Sequence, residues 1–385
     1  LFTWRVDTTA PSSSIIAATD GSNKTIPAGG DTTSTKTVFG FSGNDTGGVG
    51  IDHFECSIDG VSFATCTSPV QFNSLPDGAH TVQVRSQDRV GNKDSSPASF
   101  SWRVDTTAPT TKMDSATDGS KNAITNGGST KSTSMRFTFS GNDTGGVGIG
   151  HFSCSIDKSD FVTCTSPYTV PKPLIDGAHT FNVMSEDKVG NKDPSPASLS
   201  WTVDTAAPST KIDSSTDGNK SAVHNGGSTK STSMSFAFSG NDTSGGVGID
   251  HFSCSIDKSN FVTCTSPYTV PKPLVDGAHT FSVLSEDKVR SKDPTPASLS
   301  RTVDTAAPSS SITSVIDGNR NTVPNGGNTT STAMTFAFSG KDTGVGLDHF
   351  ECSIDGVSFA VCSSPVQYRN LTDGAHSLKV LTKDK

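Results

Sequence analysis

Large side chains are scarce in this chain of 385 residues: aromatics make up 7% and the hydrophobic set 31%, with three tryptophans, three tyrosines and five methionines. So lean a supply suits several small cores, each using few bulky groups, better than one large core. No apolar run approaches the roughly 18 to 20 residues that a membrane-crossing helix needs. Basic residues are scattered through a chain of formal net charge −8, so no nucleic-acid surface is indicated. The G-x-S-x-G, P-loop and H-E-x-x-H patterns are missing too, and the expectation is that the protein is not an enzyme. The chain opens Leu1-Phe2-Thr3-Trp4, with no initiator Met, basic n-region or apolar h-region. That start reads as a piece of something longer and does not argue for the cytoplasm.

What is present is a repeat. Val-Asp-Thr-(Thr/Ala)-Ala-Pro recurs at Asp7, Asp105, Asp204 and Asp304, a period of about 100 residues. Cysteines recur in phase as Cys56/Cys66, Cys154/Cys164, Cys254/Cys264 and Cys352/Cys362, and Asp-Gly-Ala-His ends at His80, His179, His279 and His376. This period is too long for a solenoid turn and suits one independent β-sandwich. Within each repeat the side chains alternate with period two. Phe54, Cys56 and Ile58 oppose His53, Glu55 and Ser57, while Leu199, Trp201 and Val203 oppose Ser200 and Thr202. Turn signals such as Asp118-Gly119, Asn126-Gly127-Gly128 and Asp176-Gly177 separate such runs, and no amphipathic stretch of helical length appears. Roughly seven short strands per repeat are expected, an Ig-type sandwich. Pro11, Pro109, Pro208 and Pro308 mark short, stiff junctions, so the predicted architecture is all-β: a tandem array of four sandwiches forming a semi-rigid rod. Its expected divisions are a strand at 1–7, then repeats at 8–105, 106–204, 205–304 and 305–385.

Each cysteine pair is ten positions apart across a hairpin whose centre falls at Val61 in the first repeat. With a loop of about three to five residues, Cys56 and Cys66 are expected directly opposite each other, close enough for a disulfide. Closing so short a loop contributes on the order of 2 to 3 kcal/mol. Free buried thiols are one rival. Zinc is another, since His53 and His80 flank the pair, but strand alternation points His53 away from Cys56. The disulfide is favoured, and with it an oxidising, extracellular or cell-surface location.

The strings Phe54–Pro69, Leu75–Thr81, Asp88–Asp94 and Trp102–Pro109 resemble the bacterial-type Ig-like repeats of very large prokaryotic surface proteins. The resemblance covers essentially the whole chain. It implies tandem β-sandwiches, secretion, and roles in adhesion, stalks or extracellular structure, and it brings no catalytic residues. Two departures fall in the third repeat: Arg301 replaces the last-strand Trp, and Arg290-Ser291 replaces Gly-Asn in a turn.

The histidines at positions such as His53 and His80 read as a solvent-facing strand residue and a cap after a turn, rather than a catalytic pair. Asp45, Asp88, Asn92, Asp94 and Asp105 supply hard oxygen ligands suited to calcium, although Asp and Asn are also ordinary turn residues. No cofactor is required on this reading; calcium is the candidate. Asn23, Asn44, Asn142, Asn219, Asn241, Asn328 and Asn370 open N-x-S/T sequons and are candidate glycosylation sites. Phe2–Asp7 matches Phe100–Asp105, and Asp384-Lys385 matches Asp88-Arg89. Either the chain is a window on a longer one, or units join head to tail as the Leu1–Asp7 strand of one completes the fourth repeat of the next. The expected function is structural, a stalk or filament subunit whose partner is itself. The alternative is an adhesin binding cell-surface glycans or proteins through its loops. The exposed loop aromatics an adhesin would favour are scarce, since Tyr168, Tyr268 and Tyr368 recur at one repeat position.

Overall fold

A computed structural model of the protein describes residues 1–243 and 245–385. Among them every regular element is a strand, and no helix is long and apolar enough to cross a membrane. The strands build four sandwiches, two in each of two compact units, Leu1–Thr205 and Ala206–Lys385.

The first sandwich has eight strands: β1 (Ser12–Asp20), β2 (Asp31–Thr32), β3 (Thr37–Asn44), β4 (Ile51–Ile58), β5 (Ala64–Cys66), β6 (Val70–Phe72), β7 (Gly78–Asp88) and β8 (Ala98–Val104). One sheet runs β1-β3-β6 and the other β2-β8-β7-β4-β5. The strand beyond the expected seven is β2, two residues paired parallel to the end of β8, too short to show alternation. In β7 every second side chain from His80 to Asp88 points inward. Val82 and Val84 meet Phe39 and Phe41 of β3 and Trp102 and Val104 of β8 to form the core. The Trp102 and Phe39 rings lie 4.7 Å apart.

The disulfide hairpin differs from the sequence expectation in register. Its turn centres on Asp59-Gly60, both at positive φ (49° and 79°), with the Val61 N–H donating to the Ile58 carbonyl. The turn therefore comes earlier than Val61, and Cys56 faces Ala64 while Cys66 faces Phe54. The bond runs diagonally, with Cα atoms 5.8 Å apart, inside the span a disulfide requires. The other pairs, Cys154–Cys164, Cys254–Cys264 and Cys352–Cys362, are bonded in the same way.

The second sandwich repeats this plan, with Gly177–Asp187 and Ala197–Val203 in the places of β7 and β8. Its core adds Met135 and a stacked Phe137–Phe181 pair, 4.0 Å between centroids.

In the second unit, the third sandwich keeps both sheets, but its last strand, Ala297–Val303, carries the buried Arg301. The turn at Arg290-Ser291 survives: the Arg290 N–H reaches the Asp287 carbonyl and Arg290 takes φ 67°, a region glycine occupies freely and arginine does not. The fourth sandwich pairs Ser309–Asp317, Met334–Lys341 and Val366–Tyr368 in one sheet and Ala360–Cys362, Leu347–Ile354 and Leu378–Asp384 in the other. The segment 1–7, expected as the last strand of a preceding or neighbouring repeat, is in no strand here, and Phe2, Trp4 and Val6 are all exposed.

Candidate metal centre at the sandwich ends

Where the chain enters the first sandwich, three carboxylates converge. Asp7, Asp45 and Asp88 each place an oxygen within 4.8 Å of the others. Loop chemistry sets each of them. The Asp7 carboxylate accepts the Thr9 N–H (3.0 Å) and the Val49 N–H (2.7 Å), which ties the entering chain to the β3–β4 loop. Asp45 Oδ2 accepts the Gly50 N–H at 2.6 Å. Asp88, buried at the end of β7, accepts the Val90 and Asn92 N–H groups on Oδ1 and the Asn92 side-chain amide on Oδ2. That amide also donates to the Asp7 carbonyl at 3.2 Å.

The arrangement repeats between the first two sandwiches. Asp105, Asp143 and Asp187 form the same triad, Asp105 and Asp187 both buried. Asp105 accepts the Thr107 and Val147 N–H groups, Asp143 the Gly148 N–H, and Asn191 bridges Asp187 to the Asp105 carbonyl.

Carboxylates this close repel by about 3 kcal/mol per pair at an effective dielectric of 20. Burial pushes the Asp88 carboxyl up, but the side-chain and backbone donors of Asn92, with the Val90 and Gly91 N–H groups, outweigh it and hold the group below the ordinary carboxylate value. Asp45 Oδ1 and Asp143 Oδ1 are each buried without a hydrogen-bond partner. An unsatisfied anionic oxygen among other hard oxygen donors is what a calcium ion would coordinate.

The second unit shows what a cation does at such a place. At the start of the fourth sandwich Asp304 accepts the Val345 N–H, and Asp342 accepts the Gly344 and Gly346 N–H groups. The Lys230 ammonium lies 3.0 Å from Asp384 Oδ1.

Of the five candidate calcium ligands, the structure brings Asp45, Asp88 and Asn92 together with Asp7. Asp105 belongs to the second triad, because it follows β8 and so lies at the far end of the sandwich. Asp94 stands apart, accepting the Ser96 N–H on Oδ1, with its other oxygen buried and partnerless. Sequence reasoning missed Asp7, Asp143 and Asp187, although Asp7 shares its Val-Asp-Thr setting with Asp105.

A second cluster was read only as a turn cap. His80 is buried, with Nδ1 2.8 Å from Asp59 Oδ2 and Nε2 2.8 Å from the Pro76 carbonyl. The same pair of acceptors brackets His179 (Asp157, Ile175), His279 (Asp257, Val275) and His376 (Asp355, Thr372). The two acceptors raise the pKa of His279 and His376 against the opposing effect of burial. His53 instead pairs with its neighbour Asp52 and does not approach the disulfide partners as a ligand set. The seven sequon asparagines are all exposed, and Asn44 Oδ1 already accepts the Thr46 hydroxyl.

No protein-family model matches the chain, and no curated protein does. Among solved structures, it is similar to the tetra-tandem repeat in the extending region of a large adhesion protein: 15% identity, 97% of this chain and 90% of that one covered, TM-score 0.28. It is also similar to a structure from a 1.5-MDa bacterial ice-binding adhesin, at 14% identity, with coverage of 78% and 100% and TM-score 0.35. A third likeness is to the fibronectin(III)-like modules of Clostridium thermocellum CbhA, at 14% identity, with coverage of 48% and 93% and TM-score 0.27.

Proposed function

We propose that the chain is an extracellular structural protein, a repeat-built stalk or filament subunit of a cell surface, whose junctions are stiffened by calcium. The observation that carries this reading is repetition without a singular site. Each sandwich has the same disulfide and the same histidine clamp. A catalyst or a specific binder needs one place unlike the others; a spacer needs every unit alike. The four disulfides support this reading, since such bonds persist in oxidising compartments.

Asp7, Asp45 and Asp88 would hold one ion, and Asp105, Asp143 and Asp187 another. The ion would neutralise the mutual repulsion and satisfy Asp45 Oδ1 and Asp143 Oδ1. Because Asp7 and Asp105 come from the entering chain while their partners belong to the sandwich it enters, the ion would lock the junction. In its finer form the reading has units joined head to tail, one lending a strand to the next.

Small-angle X-ray scattering of the intact chain tests this, in millimolar calcium and again after chelation. A stalk with calcium-locked junctions gives an extended profile in calcium and a broader distribution of lengths in chelator. Identical extended profiles would remove calcium from the proposal, and a compact profile in both conditions would remove the stalk.

A further inference from the structure

Tension along the chain loads each sandwich through two strands, the first, where the chain enters, and the last, where it leaves. These two strands lie in different sheets. In the second sandwich the first strand, Thr110–Asp118, belongs to the three-stranded sheet and the last, Ala197–Val203, to the five-stranded one. The third sandwich repeats this with Ser209–Asp217 and Ala297–Val303. No ladder joins the two loaded strands, so their separation is resisted by packing between the sheets as well as by the ladders within each.

In the second sandwich that packing includes Trp201 on the last strand, whose ring lies 5.4 Å from Phe137 of the opposite sheet. Trp102 bridges the sheets of the first in the same way, 4.7 Å from Phe39. In the third, Arg301 stands in this place, with Nη1 against the Met234 sulfur of the opposite sheet and Nε and Nη2 buried without partners. The loosening extends beyond that side chain. Asp118, Ile124, Thr130 and Leu199 of the second sandwich are buried, whereas their equivalents Asp217, Val223, Thr229 and Leu299 are all partly exposed. The stacked pair survives, Phe236 on Phe281 at 4.0 Å as Phe137 on Phe181, so the change gathers around Arg301, two residues before the loaded strand ends at Val303. A second departure falls on the turn before the same strand. Asn191 ties that turn to the entering chain by donating to the Asp105 carbonyl and to Asp187, and Ser291 has no amide with which to do so.

We infer that the third sandwich is the yielding unit of the stalk: under tension Arg301 lets it open before the first and second, which stay folded. The inference rests on the stalk reading above and gives one repeat a mechanical role within it. Forced opening follows the unfolding rate, and that rate rises when packing that holds only in the native state is missing. Here the missing packing is what couples the loaded last strand to the opposite sheet. The departure lies inside the core, so the third sandwich keeps the outline of its neighbours while differing in strength. Its disulfide keeps the short loop between Cys254 and Cys264 closed. The rest of the sandwich, at about 3.5 Å per extended residue, lengthens the chain by roughly 250 Å, a release that spares the other units the same load.

Single-molecule force spectroscopy on the whole chain tests this, in chelator so that no calcium holds the junctions. Pulling handles at Ala207 and Ala307 load the third sandwich alone, and handles at Ala108 and Ala207 load the second. The expected result is that the third opens at the lower force, with an unfolding rate extrapolated to zero force on the order of tenfold higher or more. Arg301→Trp, which restores the residue type the fold already accepts in the second sandwich, should remove most of that difference. Equal opening forces, or a stronger third sandwich, overturn the proposal. A low force that persists in Arg301→Trp overturns it too, because the weakness would then have another source. Neither result alters the scattering profile of the intact chain, so the yielding unit can fail while the stalk reading stands.

Discussion

The second and third sandwiches are close to the same sequence folded the same way, and they differ most at one core position. In the second, Trp201 is buried against Phe137 and His179, at ring distances of 5.4 and 5.6 Å. In the third, Arg301 occupies the same strand position, equally buried, with Nη1 against the Met234 sulfur and with Nε and Nη2 left without partners. Burial pulls its pKa down and the charge of Asp217 only partly restores it. An aromatic that contributes packing has been exchanged for a cation that must be desolvated, and unpaired buried charge is costly. The backbone hardly registers the change, because β8 and its equivalents are held by ladder bonds that do not depend on the side chain. Fold and stability have separated at this site: the same sandwich forms with a weaker core.

The comparison can be broken most directly by exchanging the two residues. Arg301→Trp should stabilise the third sandwich by about 3 kcal/mol, and Trp201→Arg should destabilise the second by a similar amount. Denaturant unfolding of the intact chain reads both, as an early transition that moves later in one variant and a new early transition in the other. No shift in either would mean that the Arg301 donors are satisfied.

A smaller difference lies in the turn. Arg290 holds a positive φ where Gly190 stands in the second sandwich, and Ser291 lacks the amide with which Asn191 satisfies Asp187, so Asp287 Oδ2 is partnerless. Arg290→Gly with Ser291→Asn should together recover about 2 kcal/mol, measured by the same unfolding curve. A loss of stability would show that the serine turn is relaxed as it stands.

The smallest expected effect is on pH dependence. Burial pulls the His279 pKa down, but the Val275 carbonyl and Asp257 raise it further, and Arg301 takes some of that back; the net shift is upward from 6.5. His376 is raised as well, first by Asp355 and then by the Thr372 carbonyl. A raised folded-state value means that the stabilisation is complete below about pH 6.5 and is lost as the pH climbs through the folded pKa. Asp118, Asp217 and Asp317 run the other way. Their carboxyls are held below the ordinary value by turn N–H groups and a threonine hydroxyl against the opposing cost of burial, so their contribution disappears on acidification below about pH 4. Proton NMR titration of His279 should show its pKa moving upward in Arg301→Trp, since the opposing cation is gone. An unchanged or lowered value would mean that Arg301 does not act on His279.

Period, alternation and turn residues were enough to establish all-β sandwiches, because a strand with one buried face writes itself into the sequence every second residue. The cysteine pairing was legible for the same reason: ten residues across one hairpin leave few alternatives. The register of that hairpin was not, because it depends on where the Asp59-Gly60 turn closes, a matter of backbone torsion at two residues. Nor were the carboxylate triads. Asp7, Asp45 and Asp88 are far apart in the chain and meet only when the entering segment, the β3–β4 loop and the end of β7 arrive at one end of the sandwich. The histidine clamp likewise joins His80 to Asp59 across neighbouring strands. Sequence by itself determined what is local or periodic; only the tertiary structure decided which of many similar aspartates share a site, since that is set by how the sheets pack and not by spacing along the chain.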